Sequence, residues 1–469
     1  MYKAYVTYVT NIRPAANADR LNACEVFGNT TIIDKTITED ALVLYLPSDG
    51  QISVEFGEKN NLFRRKDDAG NNVGGFIDPD KRNITAIRLR GNRSDGLVLP
   101  ISCLNYCYAH GDASIELRAG DVIDGLVNGH EICCKYIPRS NTRHGTVTEG
   151  NRTRKKKVAT APLFKEHADT EQLAYNLGAF KVGDEIEITL KMHGTSQRTG
   201  YLPVLQGYKR TFIDWLCRRQ GKPIYDWGYV SGTRRVVLDN YEGGFYGNNG
   251  FREQHSKIFE GKLWKGETVY YEVVGFTTSG QPIMSTANNS KLQDKEFIKQ
   301  YGKETVFSYG CYPSIPFGGK ANQSDIYVYR MTMTNPDGEV VEYTPDFMRY
   351  RCEQMAVKTV PVFFKGIIPE NEDVIYVDKN DNDVCDDGEV VYVKPTDAGE
   401  WVMKQAEKFY DGPDPVGKTH VREGVVVRII NRPKFAAYKH KNFSFKVLEG
   451  IAKVDAEAPD MEEAQEVIE

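Results

Sequence analysis

The chain has 469 residues, enough for about two to four domains at roughly 150 residues each and for more than one substantial core. Its net charge of −5 excludes a global attraction to polyanions, so any nucleic-acid footprint must be local. No apolar run approaches the ~18 residues of a membrane helix, and the nine cysteines show no regular framework and follow no apolar leader. A cytoplasmic protein in a reducing compartment, without a membrane partner, is expected.

Residues 1 to about 135 read as short strands broken by turns. Tyr2 to Val9 alternates, Ala41 to Leu46 is a buried-type run, and Ile84 to Leu99 alternates on both sides of a Gly-rich turn. This spacing predicts a small β-barrel. Pro14 to Gly28, with Asn17-Ala-Asp19-Arg20-Leu21, looks like the opening of an oligonucleotide-binding barrel. Arg88, Arg90 and Arg93 surround the turn at Gly91, either as a solvated hairpin tip or as contacts to RNA phosphates. Cys103, Cys107, His110 and the Cys133-Cys134 pair lack a Cys-x-x-Cys knuckle, so buried free thiols are expected rather than zinc.

Residues 136 to 164 form a linker carrying Asn151-Arg-Thr-Arg-Lys-Lys-Lys157, five basic residues in seven. A solvated tether, backbone-phosphate attraction and an import signal all fit that run. From 165 to 450 strands and helices mix, interrupted by Gly-rich and polar insertions. Lys181 to Lys191, Val269 to Phe276, Asp325 to Met333 and Val421 to Ile430 are strand-like. Asp378 to Glu389 partly mimics a calcium loop but lacks glycine at the sixth position, and its flanks read as strands. An acidic hairpin tip is expected there. The tail, 451 to 469, is acidic, with seven acids and no base after Val454.

The chemistry concentrates in three ordered clusters: Glu187-Ile-Thr-Leu-Lys191-Met-His193-Gly194-Thr195-Ser196, then His420-Val-Arg-Glu423-Gly424, then Lys439-His-Lys441. Attack by an amine on an α-phosphate needs a deprotonated lysine, and an ordinary lysine, pKa about 10.4, is charged at neutral pH. Nearby positive charge disfavours that charged form. Lys439 and Lys441, alternate residues on one strand, are placed to supply such charge and to neutralise a phosphate. Glu423, at the mouth of an apolar strand, suits a divalent metal or a hydrogen bond to Lys191. Glu272 is an acid in an otherwise apolar strand, where a ribose hydroxyl or a structural ion pair would offset its cost. Tyr329 offers a face for a nucleobase. Arg234 and Arg235 follow a turn and suit phosphate or an RNA 3′ end, and Arg198, close behind Gly194, is a further nucleotide contact.

Together these residues resemble the collinear motifs of the DNA ligase, RNA ligase and mRNA capping superfamily. The resemblance implies that Lys191 accepts AMP, Glu272 contacts ribose, Tyr329 stacks on adenine, Glu423 serves the metal, and Lys439 and Lys441 act on the phosphates. DNA ligases and capping enzymes carry aspartate where this chain has His193, and His193-Gly194-Thr195-Ser196 is similar to the RNA ligase turn. A barrel ahead of the transferase domain resembles the Deinococcus- and Naegleria-type RNA ligases. The implied fold class is α+β, with an N-terminal barrel followed by a mixed nucleotidyltransferase domain on antiparallel sheets. The implied activity is ATP-dependent RNA joining with Mg2+ or Mn2+, by a monomer acting on RNA. A capping guanylyltransferase and an inactive RNA-binding relative are the alternatives.

Overall fold

The computed structural model describes residues 2–16, 18, 21–66, 72–89, 92–136, 160–168, 170–217, 221–238, 241, 249–284, 298–300, 302, 309, 323–376, 379, 382, 384, 386, 391–417, 420–443 and 445–446. The basic run of the linker, the acidic tail and most of Asp378 to Glu389 lie outside these residues. The chain divides into two compact units: Met1–Asn141 with Phe443–Asp460, and Thr142–Asn442 with Met461–Glu469.

In the first unit the opening alternation becomes the strand Ala4–Thr7, with Ala4 and Val6 fully buried. It pairs antiparallel with Val43–Leu46 on one side and Val122–Ile123 on the other, and Leu97–Pro100 completes a four-stranded sheet. A three-stranded sheet of Thr10–Pro14, Leu21–Val26 and Asn29–Asp34 stands beside several two-stranded ribbons. The closed barrel expected from the strand spacing is not formed among the described residues. Leu97–Pro100 and Val122–Ile123 remain the two edges of their sheet, and closure needs an unbroken ring of strand pairing. The core gathers Leu44, Leu46, Phe56, Ile52 and Leu104, with Cys103, Cys107 and Cys133 packed among them. Burial pushes the Cys133 thiol up to about 12, so it acts as a small apolar filler. Phe445 is buried in this unit, and Lys446 forms an ion pair with the buried Asp95.

The second unit contains strands β1 (Glu171–Gln172), β2 (Glu185–Leu190), β3 (Thr195–Lys209), β4 (Lys222–Gly232), β5 (Glu267–Gly275) and β6 (Ser324–Thr334). There follow β7 (Val340–Glu342), β8 (Val362–Ile367), β9 (Asn371–Tyr376), β10 (Val391–Pro395), β11 (Gly424–Ile429) and β12 (Ala436–Lys441). Its helices include α1 (Phe212–Leu216), α2 (Gly250–Ser256), α3 (Pro345–Met355) and α4 (Ala398–Glu407). One five-stranded sheet has the order β1-β12-β11-β2-β8, the other β4-β3-β5-β6-β7. All neighbours are antiparallel except β1 beside β12. β9 and β10 pair as a ribbon flanking the acidic stretch. This is the mixed, antiparallel architecture that the resemblance implies, in the region where the strand patterns predict mixed strands and helices.

β-Branched residues drive the first sheet: Ile186 and Ile188 on β2, and Val425, Val427 and Ile429 on β11, are buried on one face. The residues between them face the other way, as the period of two requires. On the second sheet Val269, Tyr271, Val273, Val328 and Met331 pack on Met348, Cys352 and Met355 of α3. That helix starts at Thr344, whose hydroxyl accepts from Phe347 N at 3.3 Å, with Pro345 in the first turn. It ends at Ala356 in the left-handed conformation. No helix among the described residues is long and apolar enough to cross a membrane.

Candidate active site

Alternate residues of three neighbouring strands line a cleft in the second unit: Glu187, Thr189 and then Lys191 from β2 and its end, Val426 and Arg428 from β11, Ala437 and Lys439 from β12. Register makes this face continuous, since Thr189 pairs with Val426, and Val426 with Lys439. Glu272, Tyr329, Met348, Arg349 and Val360 line it as well, and His167, Thr170, Arg234 and Phe435 complete the wall. The envelope of the cleft, with the open solvent at its mouth counted, is about 960 Å3.

Lys191 sits where β2 ends. Its backbone N–H donates to Gly424 O at 3.0 Å, and its Nζ lies 2.8 Å from Glu423 Oε1. Lys441 Nζ approaches the same oxygen at 3.3 Å, and His193 Nδ1 lies 3.3 Å from Oε2. Burial alone would raise the Glu423 carboxyl, but the facing ammonium groups of Lys191 and Lys441, with His193, hold it well below the usual carboxylate range. One buried anion thus gathers two cations and an imidazole at the inner side of the turn after Lys191.

Two glycines make this approach possible. A Cβ on Gly194 would stand 2.3 Å from Val273 O, so the turn after Lys191 lies directly against β5. Gly424 has φ 147° and a Cβ there would lie 2.1 Å from His440 O. Gly424→Ala is therefore expected to cost on the order of 2 kcal/mol and to separate Glu423 from Lys441. A urea unfolding curve checks the cost, and a structure of the variant checks the separation.

Behind His193 lies a buried polar group. Tyr309 OH donates to Asp414 Oδ2 at 2.5 Å, and the Tyr309 and His420 rings stack at 4.0 Å and 8°. Asp414 Oδ1 accepts from Val416 N and Gly417 N at 2.8 and 3.0 Å. Burial raises the Asp414 carboxyl, while the Tyr309 hydroxyl and those two amides act against the rise. His193 and His420 have ring centroids 6.1 Å apart, so this group backs the turn that follows Lys191.

Tyr329 reaches the cleft through an irregularity. Pairing of β5 with β6 shifts between Tyr270–Arg330 and Tyr271–Val328, leaving Tyr329 as the extra residue of a bulge. Its hydroxyl lies 2.8 Å from Ser196 Oγ, and its ring lies 5.2 Å from that of His167. Tyr327, two residues earlier, is buried in a core cluster with Leu190, Met192 and Val274. The Thr195-Ser196 turn is fastened by Arg252 of α2, which donates to Ser196 O at 3.0 Å and Thr195 Oγ1 at 2.9 Å.

No family model matches the chain, and no curated protein matches it. Among solved structures the chain is similar to the Naegleria gruberi RNA ligase. A lysine-to-methionine variant of that protein, with AMP and Mn, has a TM-score of 0.51 at 16% identity, covering 95% of this chain and 98% of that one. A lysine-to-alanine variant with ATP and Mn gives the same figures, and an apo variant gives 0.51 at 17% identity. The chain has an RNA-ligase-type fold. At this identity the likeness is one of fold, and it runs through nearly the whole of both chains.

Within this fold the expected residues fall into separate groups. Lys191, Glu272, Tyr329, Arg234 and Lys439 meet in the cleft. Glu423, Lys441 and His193 stand behind Lys191, so His193 faces Glu423 and is not among the residues lining the cleft. Arg198 does not line the cleft either. Its buried guanidinium donates to Thr233 O at 2.8 Å, Phe164 O at 3.2 Å, Arg235 O at 3.3 Å and Lys165 O, over the ring of Phe164. Arg198→Ala is expected to leave these carbonyls short of a donor at a cost on the order of 3 kcal/mol, read as a lower urea midpoint. Lysine should not restore it, because an ammonium lacks the planar fork.

Arg235 is exposed, and Arg93 lies in the first unit with its guanidinium 5.0 Å from the Phe443 ring. Arg88 is on the strand Ile87–Leu89 of that unit, and Arg90 lies outside the described residues. Sequence reasoning missed one end of the cleft. There Arg349 pairs with Glu187 at 2.8 Å, and Arg428 approaches Glu342, which also receives Arg330. The only sequence signal was the place of Glu187 and Arg428 on the same alternating faces as Lys191 and Val426.

Proposed function

We propose that the protein is an ATP-dependent RNA ligase that joins 3′-hydroxyl and 5′-phosphate ends, at nicks in duplexes, through lysyl-AMP and RNA-adenylate intermediates. The observation that carries this reading is Lys191 in a cleft lined by Glu272, Tyr329, Arg234 and Lys439, with Glu423 and Lys441 behind its amine. The ligase-type fold, whose solved representatives include complexes with ATP, AMP and Mn, supports it.

In the first step the lone pair of Lys191 Nζ forms a bond to the α-phosphorus of ATP, and the bond to pyrophosphate breaks. Lys191 must first give up a proton and its ion pair with Glu423. Lys439, in the cleft, and Lys441 offset the growing negative charge on the phosphate. Tyr329 presents its ring to the base and Glu272 its carboxylate to the ribose. In the second step an oxygen of the RNA 5′-phosphate takes the AMP from Lys191, whose amine recovers its proton. In the third the RNA 3′-hydroxyl attacks that 5′-phosphate and AMP leaves. All three are in-line displacements, in which positioning supplies most of the acceleration.

Glu423 is the carboxylate proposed to hold a divalent ion, once Lys191 gives up its place on Oε1. Among the described residues no three His, Cys, Asp or Glu side chains cluster around a common point. Mg2+ or Mn2+ fits a site of one carboxylate completed by substrate phosphates and water, where it would neutralise phosphate charge. Arg234 and Arg235, with Arg88, Arg90 and Arg93 of the first unit, are proposed to contact RNA, and the protein to act as a cytoplasmic monomer. The test is incubation with ATP, metal and a nicked RNA duplex carrying a labelled 5′-phosphate. A longer labelled strand and released AMP are expected. Covalent transfer of GMP without any joining would favour a capping enzyme and overturn this reading.

A further inference from the structure

The hairpin that begins at the nucleophile's turn continues far beyond the cleft. β3 is 15 residues long, so at about 3.3 Å per residue its end lies roughly 45 Å along the strand from Thr195. Its first six residues are all buried, whereas from Pro203 onward β3 and the facing part of β4 are half-buried or exposed. The last cross-strand pair places Lys209 directly opposite Lys222, both exposed. Like charges in that position repel and weaken the hairpin. Arg210 follows, also exposed, and no ion pair among the described residues engages any of the three.

Beyond them α1 presents Phe212, Trp215 and Leu216, which are 75%, 64% and 66% exposed. The Phe212 and Trp215 rings are 5.8 Å apart and tilted by 31°. Apolar side chains grouped so openly mark a contact surface. In sequence, residues 209 to 222 hold Lys209, Arg210, Arg218, Arg219 and Lys222 against a single acid, Asp214, in a chain of net charge −5. That acid is engaged locally, accepting from Thr211 N at 3.0 Å and Thr211 Oγ1 at 2.7 Å.

Both features are unfavourable alone, and one kind of partner relieves both. RNA offers phosphates to the opposed lysines and flat base or sugar faces to the aromatic rings. A protein partner would have to combine acidic and apolar surface. RNA is already the partner of the turn from which the hairpin springs, on the ligase reading that this inference rests on. We propose that the distal β3–β4 hairpin and α1 form an RNA-gripping arm that holds the substrate strand well away from the joint.

The test uses the full chain and two double variants, Lys209→Gln with Lys222→Gln, and Phe212→Ser with Trp215→Ser. All four positions are exposed, so unchanged thermal melting is expected for both. Covalent labelling by ATP should proceed at the wild-type rate. Binding to a long nicked RNA duplex should weaken about tenfold or more for the aromatic pair. For the lysine pair, the slope of log affinity against log salt should become shallower by roughly 2. Neither loss should appear with a duplex whose flanks are shorter than the arm's reach. Unchanged RNA affinity and salt slope in variants that label normally would overturn the proposal, and would leave the patch to a protein partner. Failure of the wild-type protein to label would instead count against the ligase reading, and the RNA titration would still decide the arm.

Discussion

Lys191→Ala is expected to lose all covalent transfer of AMP from ATP while keeping the wild-type urea midpoint. The amine at 191 stands in the cleft, whereas His193 is turned to Glu423 and Ser196 Oγ is bonded to the Tyr329 hydroxyl. Neither can take its place as nucleophile. Lys439 also lines the cleft, so Lys439→Ala separates the two candidates: label should remain on Lys191, though more slowly acquired. Folding survives the loss because Lys441 still stands 3.3 Å from Glu423, so that buried carboxylate keeps a cation. Lys191→Arg should fail too, since a guanidinium stays protonated. Stable labelling of the alanine variant under wild-type conditions would remove Lys191 from the mechanism.

Glu423→Ala and Lys441→Ala should each slow single-turnover adenylation by about a hundredfold, the effect of losing ~3 kcal/mol of charge stabilisation. The two differ in what they leave behind. Without Lys441, Glu423 still holds Lys191 at 2.8 Å and the nucleophile keeps its place. Without Glu423, two buried ammonium groups and His193 lose their common partner, so a loss of stability should accompany the loss of rate. Glu423→Gln keeps the shape and removes only the charge. Wild-type rates for both alanine variants at saturating metal would show that this cluster is structural.

What could be read from the sequence follows from how local each feature is. Strand alternation predicted strands over Lys181 to Lys191 and Val421 to Ile430; the strands formed there are the shorter Glu185–Leu190 and Gly424–Ile429, legible because burial on one face of a sheet writes a period of two into the chain. The grouping of Lys191, Glu423 and Lys441 was legible from their order. Tyr329, picked out in the sequence, does line the cleft, but a bulge aims it there, and no local pattern announces a bulge. Arg198, close behind the Gly194 turn, looked like a nucleotide contact. Its distant carbonyl partners, contributed by residues 164, 165, 233 and 235, exist only in the folded chain. Barrel closure failed for the same reason, since it depends on which edges meet and not on how the strands alternate.

The most direct measurement is the intact mass of the wild-type protein after incubation with metal and either ATP or GTP, followed by digestion to locate any adduct. ATP should add one AMP to the peptide containing Lys191, pyrophosphate should remove it again, and GTP should add nothing. No adduct with ATP, an adduct with GTP in its place, or AMP carried on a residue other than Lys191 would contradict the account.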